Sequence, residues 1–150
     1  MMRQGEMRQA VPIGVAAKES GVKVPTIRYY EEIGLLTAPP RGDGNRRLYG
    51  QESLTRLAFI RHARALGFDI EAIRTLLELQ DEPDQSCARA DAIAQARLRD
   101  VEQRIASLTA LKAELKLMIE GCRHGRVDEC RVIEVLADHE LCTHQDHHPS

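Results

Sequence analysis

The chain has 150 residues, with 21 Lys and Arg against 23 Asp and Glu, three tyrosines, two phenylalanines and no tryptophan. So few aromatics, all in the first half (Tyr29, Tyr30, Tyr49, Phe59, Phe68), argue against a large globular core and leave a small domain with an elongated appendage. No apolar run is long enough to span a bilayer and the polar start MMRQGEMRQ lacks a signal-peptide core, so a cytoplasmic chain with reduced thiols and no membrane partner is expected.

Charge is divided along the chain: residues 1–80 carry 12 Lys and Arg against 9 Asp and Glu, residues 81–150 carry 9 against 14. A mildly basic head suits a polyanion, and an acidic second half suits neither nucleic acid nor membrane. Residues 1–11 show no periodicity and are expected to be a disordered lead-in. Ile13, Val15 and Ala16 open a short helix ending near Ser20-Gly21, and a second helix follows from about Val24 to Glu32. Two short helices joined by a tight turn containing Gly form a helix-turn-helix. Gly34 stops the second helix, Leu35 to Pro40 is extended, Arg41 to Asn45 is turn chemistry, and Arg46-Arg47-Leu48-Tyr49 reads as a return strand, making a small hairpin wing. Helical periodicity resumes over Gln51–Leu66 and, after the N-cap Asp69, over Ile70–Leu79. The head is therefore residues 12–80, closed by the breaker Asp81-Glu82-Pro83-Asp84.

Residues 86–121 are expected to form one long helix that serves dimerisation. Leu98, Val101, Ile105, Leu108, Leu115 and Ile119 step by 3 and 4, with Lys112 intruding at the seam, which supports a coiled coil. Cys87 precedes this helix, and Cys122 and Cys130 follow it. A continuous helix between them separates Cys87 from Cys122 by roughly 50 Å at ~1.5 Å per residue, so one chain cannot bring both to one ion. Two chains can, if their helices pair antiparallel. Cys122 and Cys130 bracket a loop that Gly125 lets fold back, residues 122–137 make a metal-binding loop and short helix, and Cys87 of a partner completes a three-thiolate nest. Soft sulfur favours Zn, Cd, Pb, Hg and Cu(I) over Mg or Ca, and His124 is available as a fourth ligand for zinc. Residues 138–150 are expected to be a flexible tail, in which Cys142, His144, His147 and His148 could hold a second ion.

Ile13-Gly14-Val15-Ala16-Ala17-Lys18, Gly21-Val22, the run Thr26 to Leu36 (TIRYYEEIGLL), Arg41, Arg47-Leu48-Tyr49, Phe59-Ile60-Arg61 and Leu66-Gly67-Phe68 closely resemble the MerR family of transcriptional regulators, over about residues 12–130. The resemblance implies a mainly α protein: a winged helix-turn-helix head, a long antiparallel coiled-coil dimerisation helix, and a short C-terminal metal-binding loop and helix. Cys87, Cys122 and Cys130 then correspond to the ligand positions of the metal-sensing branch, whose zinc, cadmium, lead and mercury sensors carry cysteine before the long helix. Copper-type sensors share the eight-residue step from Cys122 to Cys130 but have serine at the position of Cys87. Two departures stand out: Arg46 where tyrosine is usual, and Pro25 in place of a polar residue.

In such a head the second helix enters the major groove, which directs Val24, Thr26, Arg28 and Tyr29 toward DNA. Arg41, Arg47 and Tyr49 on the wing would track the phosphate backbone, with Arg64 a further contact. The family implies a homodimer on a palindromic promoter, two metal sites per dimer, and activation of a metal-resistance or efflux operon. Metal-driven distortion of the DNA would realign promoter elements for RNA polymerase. The expected inducer is one divalent soft ion per site (Cd, Pb, Zn or Hg), with Cu(I) the alternative. A thiol redox sensor fits less well, because iron–sulfur clusters want closer cysteines. No constellation of nucleophile, base and oxyanion donors suggests an enzyme.

Overall fold

A computed structural model of the chain describes residues 10–138, apart from residues 43, 45, 123 and 124. Two compact units are present, Met1–Ala90 and Asp91–Ser150.

In the first unit, β1 (Val11–Pro12) leads directly into α1 (Ile13–Ser20). Gly21 ends α1 at a positive φ of 74°, its N–H donating to the Ala17 carbonyl at 2.9 Å. The positive φ is what requires glycine here; a Cβ would also lie 2.8 Å from Nε of Arg61, a flexible side chain that could move aside. α2 (Val24–Glu32) has Pro25 in its first turn, where a missing N–H leaves no helical bond unmade. The chain then wraps round the end of α2, the N–H groups of Leu35 and Leu36 both donating to the Tyr30 carbonyl. β2 (Leu48–Tyr49) precedes α3 (Gln51–Ala65) and α4 (Ile70–Gln80). Asp69 caps α4 as expected, its Oδ1 accepting from Ala72 N–H at 2.7 Å. Arg74 braces α4 against α2 by donating to the Ile33 carbonyl at 2.9 Å. The four helices α1 to α4 and the turn after α2 converge on one core that includes Ala16, Ile27, Leu35, Leu57, Ile60, Ile73 and Leu77.

The wing differs from the expected hairpin. Residues 35–40 form no strand; β2 pairs antiparallel with β1 instead, Val11 opposite Tyr49 and Pro12 opposite Leu48. Among the described residues the wing loop closes on an isolated bridge, Arg41 with Arg47, and on the Gly42 N–H donating to the Arg46 carbonyl at 2.6 Å. Pro39 and Pro40 explain this, because neither has an N–H to give to a ladder. Val11, read from the sequence as part of the lead-in, is thus a strand residue; residues 1–9 lie outside the described residues.

α5 (Ala88–Glu120) runs unbroken for 33 residues. Leu98, Ile105, Leu108, Leu115 and Ile119 along it are exposed, while Glu114 and Met118 are buried. Gly121 follows, and its Cα lies so close to Arg131 that a Cβ would stand 2.9 Å from Cγ of that side chain. A 3-10 turn (Val127–Glu129) then leads into α6 (Arg131–Ala137), which buries Val135. Among the described residues, no helix is long and apolar enough to cross a membrane.

Candidate functional site

The first unit carries a basic concavity of about 630 Å³ lined by Pro12, Ile13, Gly14, Arg28, Arg41, Arg46, Arg47 and Tyr49. Four arginines from α2 and the wing therefore share one recess. Arg28 and Tyr29 project from the exposed side of α2, with Thr26 and Val24 half-buried beside them, while Ile27 and Tyr30 turn into the core. Period 3.6 produces this division, because Ile27 and Tyr30 are three apart and Arg28 and Tyr29 fall on the other face. The ring of Tyr29 lies 6.1 Å from that of Tyr30, tilted by 49°.

The wing residues are held by one carboxylate. Arg47 Nη1 donates to Glu31 Oε2 at 2.8 Å, and the Tyr49 hydroxyl donates to Glu31 Oε1. Tyr49 is completely buried, so it does not stand on the surface with Arg41 and Arg47 as the sequence suggested. Burial, joined by the hydrogen bond and charge of Glu31 against the opposing pull of Arg47, pushes its pKa up to about 12. Arg64 lies elsewhere, donating to the Phe68 carbonyl at 3.0 Å and closing the end of α3. Arg46 joins this recess in addition to the arginines expected from the sequence, its place beside Arg47 on the turn being the local signal for it.

The second constellation is the thiol loop. Cys87, Cys122 and Cys130 are all free; Cys87 is exposed, and the other two are half-buried. Gly121 lies against the Arg131 side chain, and the Cys122 thiol is near enough to Cys130 to help lower its pKa. Cys130 stands at the N-terminus of α6. Its sulfur closes no cap hydrogen bond of ordinary geometry, yet it lies near enough to backbone N–H groups to feel them. The N–H of Ile133 holds the Cys130 thiol below its ordinary pKa, Val132 N–H and the Cys122 thiol add to this, and desolvation opposes it. A low-pKa thiol beside a second thiol is a ready thiolate donor pair for a soft cation. Among the described residues, no cluster of three His, Cys, Asp or Glu side chains is gathered within one chain. His124, Cys142, His144, His147 and His148 lie outside the described residues.

Comparison with known proteins places both constellations in context. Residues 11–80 match the family described as MerR HTH family regulatory protein, and residues 54–118 match MerR, DNA binding. The chain is 41% identical over 128 residues to the HTH-type transcriptional regulator ZntR of Escherichia coli (strain K12), covering 83% of this chain and 90% of that one. It is 39% identical over 126 residues to the mercuric resistance operon regulatory protein of Pseudomonas fluorescens, covering 83% and 85%. Among solved structures it is similar to the transcription regulator PbrR691 from Ralstonia metallidurans CH34 in complex with lead(II), with a TM-score of 0.73, 37% identity, and coverage of 84% of this chain and 98% of that one.

Proposed function

The chain belongs to the MerR family of transcriptional regulators, and from that premise we propose that it is a cytoplasmic, homodimeric activator of a metal-resistance or efflux operon, induced by a divalent soft ion. The observation that carries the metal assignment is the Cys122–Cys130 pair: two free, half-buried thiols on either side of a short loop, with Cys130 at the start of α6 held below its ordinary pKa by the Ile133 N–H. Relatives named for mercury resistance and a similar structure bound to lead(II) support the same ligand class. The donor set suits such an ion: two adjacent sulfurs from one chain, with Cys87 of a second chain supplying the third. Three thiolates with a divalent ion leave one net negative charge, and the ion, when bound, supplies the attraction that holds them together.

The unbroken α5 supports a shared site. Its 33 residues span about 50 Å, and its exposed Leu98, Ile105, Leu108 and Ile119 need an apolar partner. Antiparallel pairing of two such helices supplies that partner and sets Cys87 of each beside the Cys122 loop of the other, giving two sites per dimer. Arg28, Tyr29, Arg41 and Arg47 then meet promoter DNA, with Val24 and Thr26 on the groove side and Tyr49 tethering the wing. An ion favouring one arrangement of the heads by about 1–3 kcal/mol is matched to a DNA deformation cost of order 1–6 kcal/mol. RNA polymerase then reads a realigned promoter.

Copper(I) is the second reading, favoured by the Cys122–Cys130 pair alone, since two thiolates suit a linear monovalent ion. Transcription from the target promoter, measured with Zn, Cd, Pb, Hg and Cu(I) for the native chain and Cys87→Ser, separates the two. Loss of the divalent response in Cys87→Ser is expected. An unchanged divalent response overturns the three-thiolate assignment, and a response to copper alone establishes the alternative.

A further inference from the structure

We propose that Glu31 is a positioning residue for DNA binding: its carboxylate straps the wing to α2 and fixes where the Arg47 guanidinium meets a phosphate. The inference builds on the reading of Arg47 as a phosphate contact. Glu31 lies on α2, the helix assigned to the major groove, yet its side chain is only 5% exposed. Each carboxylate oxygen has a separate task. Oε2 accepts from Arg47 Nη1 at 2.8 Å and Oε1 accepts from the Tyr49 hydroxyl, partners 16 and 18 residues further along the chain. Both belong to the segment that closes the wing and pairs with β1. One carboxylate thus joins the recognition helix, the wing and the small sheet.

Charge alone would argue against such a group on a phosphate-binding face, since a carboxylate repels the polyanion. Placement resolves this. The carboxylate is buried behind Arg47, whose side chain keeps 38% of its surface exposed. A guanidinium has five N–H donors in a rigid fork, so one edge can rest on Glu31 while another faces the recess shared with Arg28, Arg41 and Arg46. Phosphate contacts fix register rather than sequence. A wing arginine left to swing on its long side chain would lose conformational entropy on binding; one already seated loses less.

The test uses the full-length chain and a mixed-sequence DNA duplex, because phosphate contacts do not depend on sequence. Glu31→Ala is expected to weaken binding about tenfold in the native background and by less than about twofold in Arg47→Ala/Tyr49→Phe, the non-additivity of residues that act as a unit. Glu31→Gln, which keeps the size and one acceptor oxygen, should recover much of the loss. A second readout needs no DNA: the latest-titrating tyrosinate absorbance, assigned to Tyr49, should move to lower pH in Glu31→Gln. Binding by Glu31→Ala as tight as or tighter than native overturns the proposal, as does an equal loss in both backgrounds or an unmoved tyrosinate. Should Arg47→Ala alone bind as well as the native chain, the phosphate-contact reading of Arg47 fails and this proposal fails with it. Should Arg47→Ala weaken binding while Glu31→Ala does not, only the positioning role is lost.

Discussion

Tyr49 shows at the level of one residue how a surface expectation turns into a structural role. An aromatic next to two arginines on a turn reads as a backbone contact, but its placement depends on Glu31, a partner 18 residues away that no local pattern reveals. The buried phenol makes a pH prediction. Its folded pKa of about 12 stands above the ordinary value of 10.0, so the neutral form is favoured by folding. The stability that this group contributes is complete below about pH 10 and is lost as pH rises through about 12. Urea unfolding of native chain and Tyr49→Phe should show a constant difference below pH 10. On the way to pH 12 the native chain should lose on the order of 2 kcal/mol relative to the variant. The thiols divide in the same manner. Cys122 and Cys130 were legible as a pair because a short glycine-containing loop joins them, whereas no sequence pattern announces the Ile133 and Val132 N–H groups that tune Cys130.

Elements were legible where their signals are local. The Asp69 cap was readable because a capping side chain acts three residues away, and the structure returns it with a 2.7 Å bond to Ala72 N–H. Asp69→Ala should cost about 1 kcal/mol in chemical unfolding, the usual worth of such a cap, with the transition still cooperative. The helix-turn-helix was readable for a similar reason, since Gly21 and the alternation of Ile27 and Tyr30 with Arg28 and Tyr29 all act within a turn or two. The small sheet was not. Its pairing joins Val11–Pro12 to Leu48–Tyr49 across most of the head, and two-residue strands carry no alternation to detect. The prolines at 39 and 40 are the local signal against an outgoing arm, because they remove the donors that it would need. The stalk's heptad reads as one long helix and forms one, but within α5 the buried residues are Glu114 and Met118 rather than the seam leucines beside them.

For the whole molecule, the apolar stripe of α5 is the dominant fact. Leu98, Ile105 and Leu108 are each more than half exposed in a single chain. A helix in water gains little stability without an apolar face to bury. Coupled folding and association therefore predicts a melting temperature that rises with protein concentration. Leu108→Asp should shift the chain toward monomer in analytical ultracentrifugation and abolish that concentration dependence. An invariant melting temperature in the native chain would argue that α5 is satisfied alone and would remove the basis for ligands shared across chains.

If that bare stripe is what joins two chains, the number of copies in a cell becomes part of the dose–response curve. Scarce protein would leave half-built sensors blind to the toxin, and added expression would sharpen the alarm without altering a single ligand. Tuning such a regulator would then be as much a matter of its own supply as of its taste in ions.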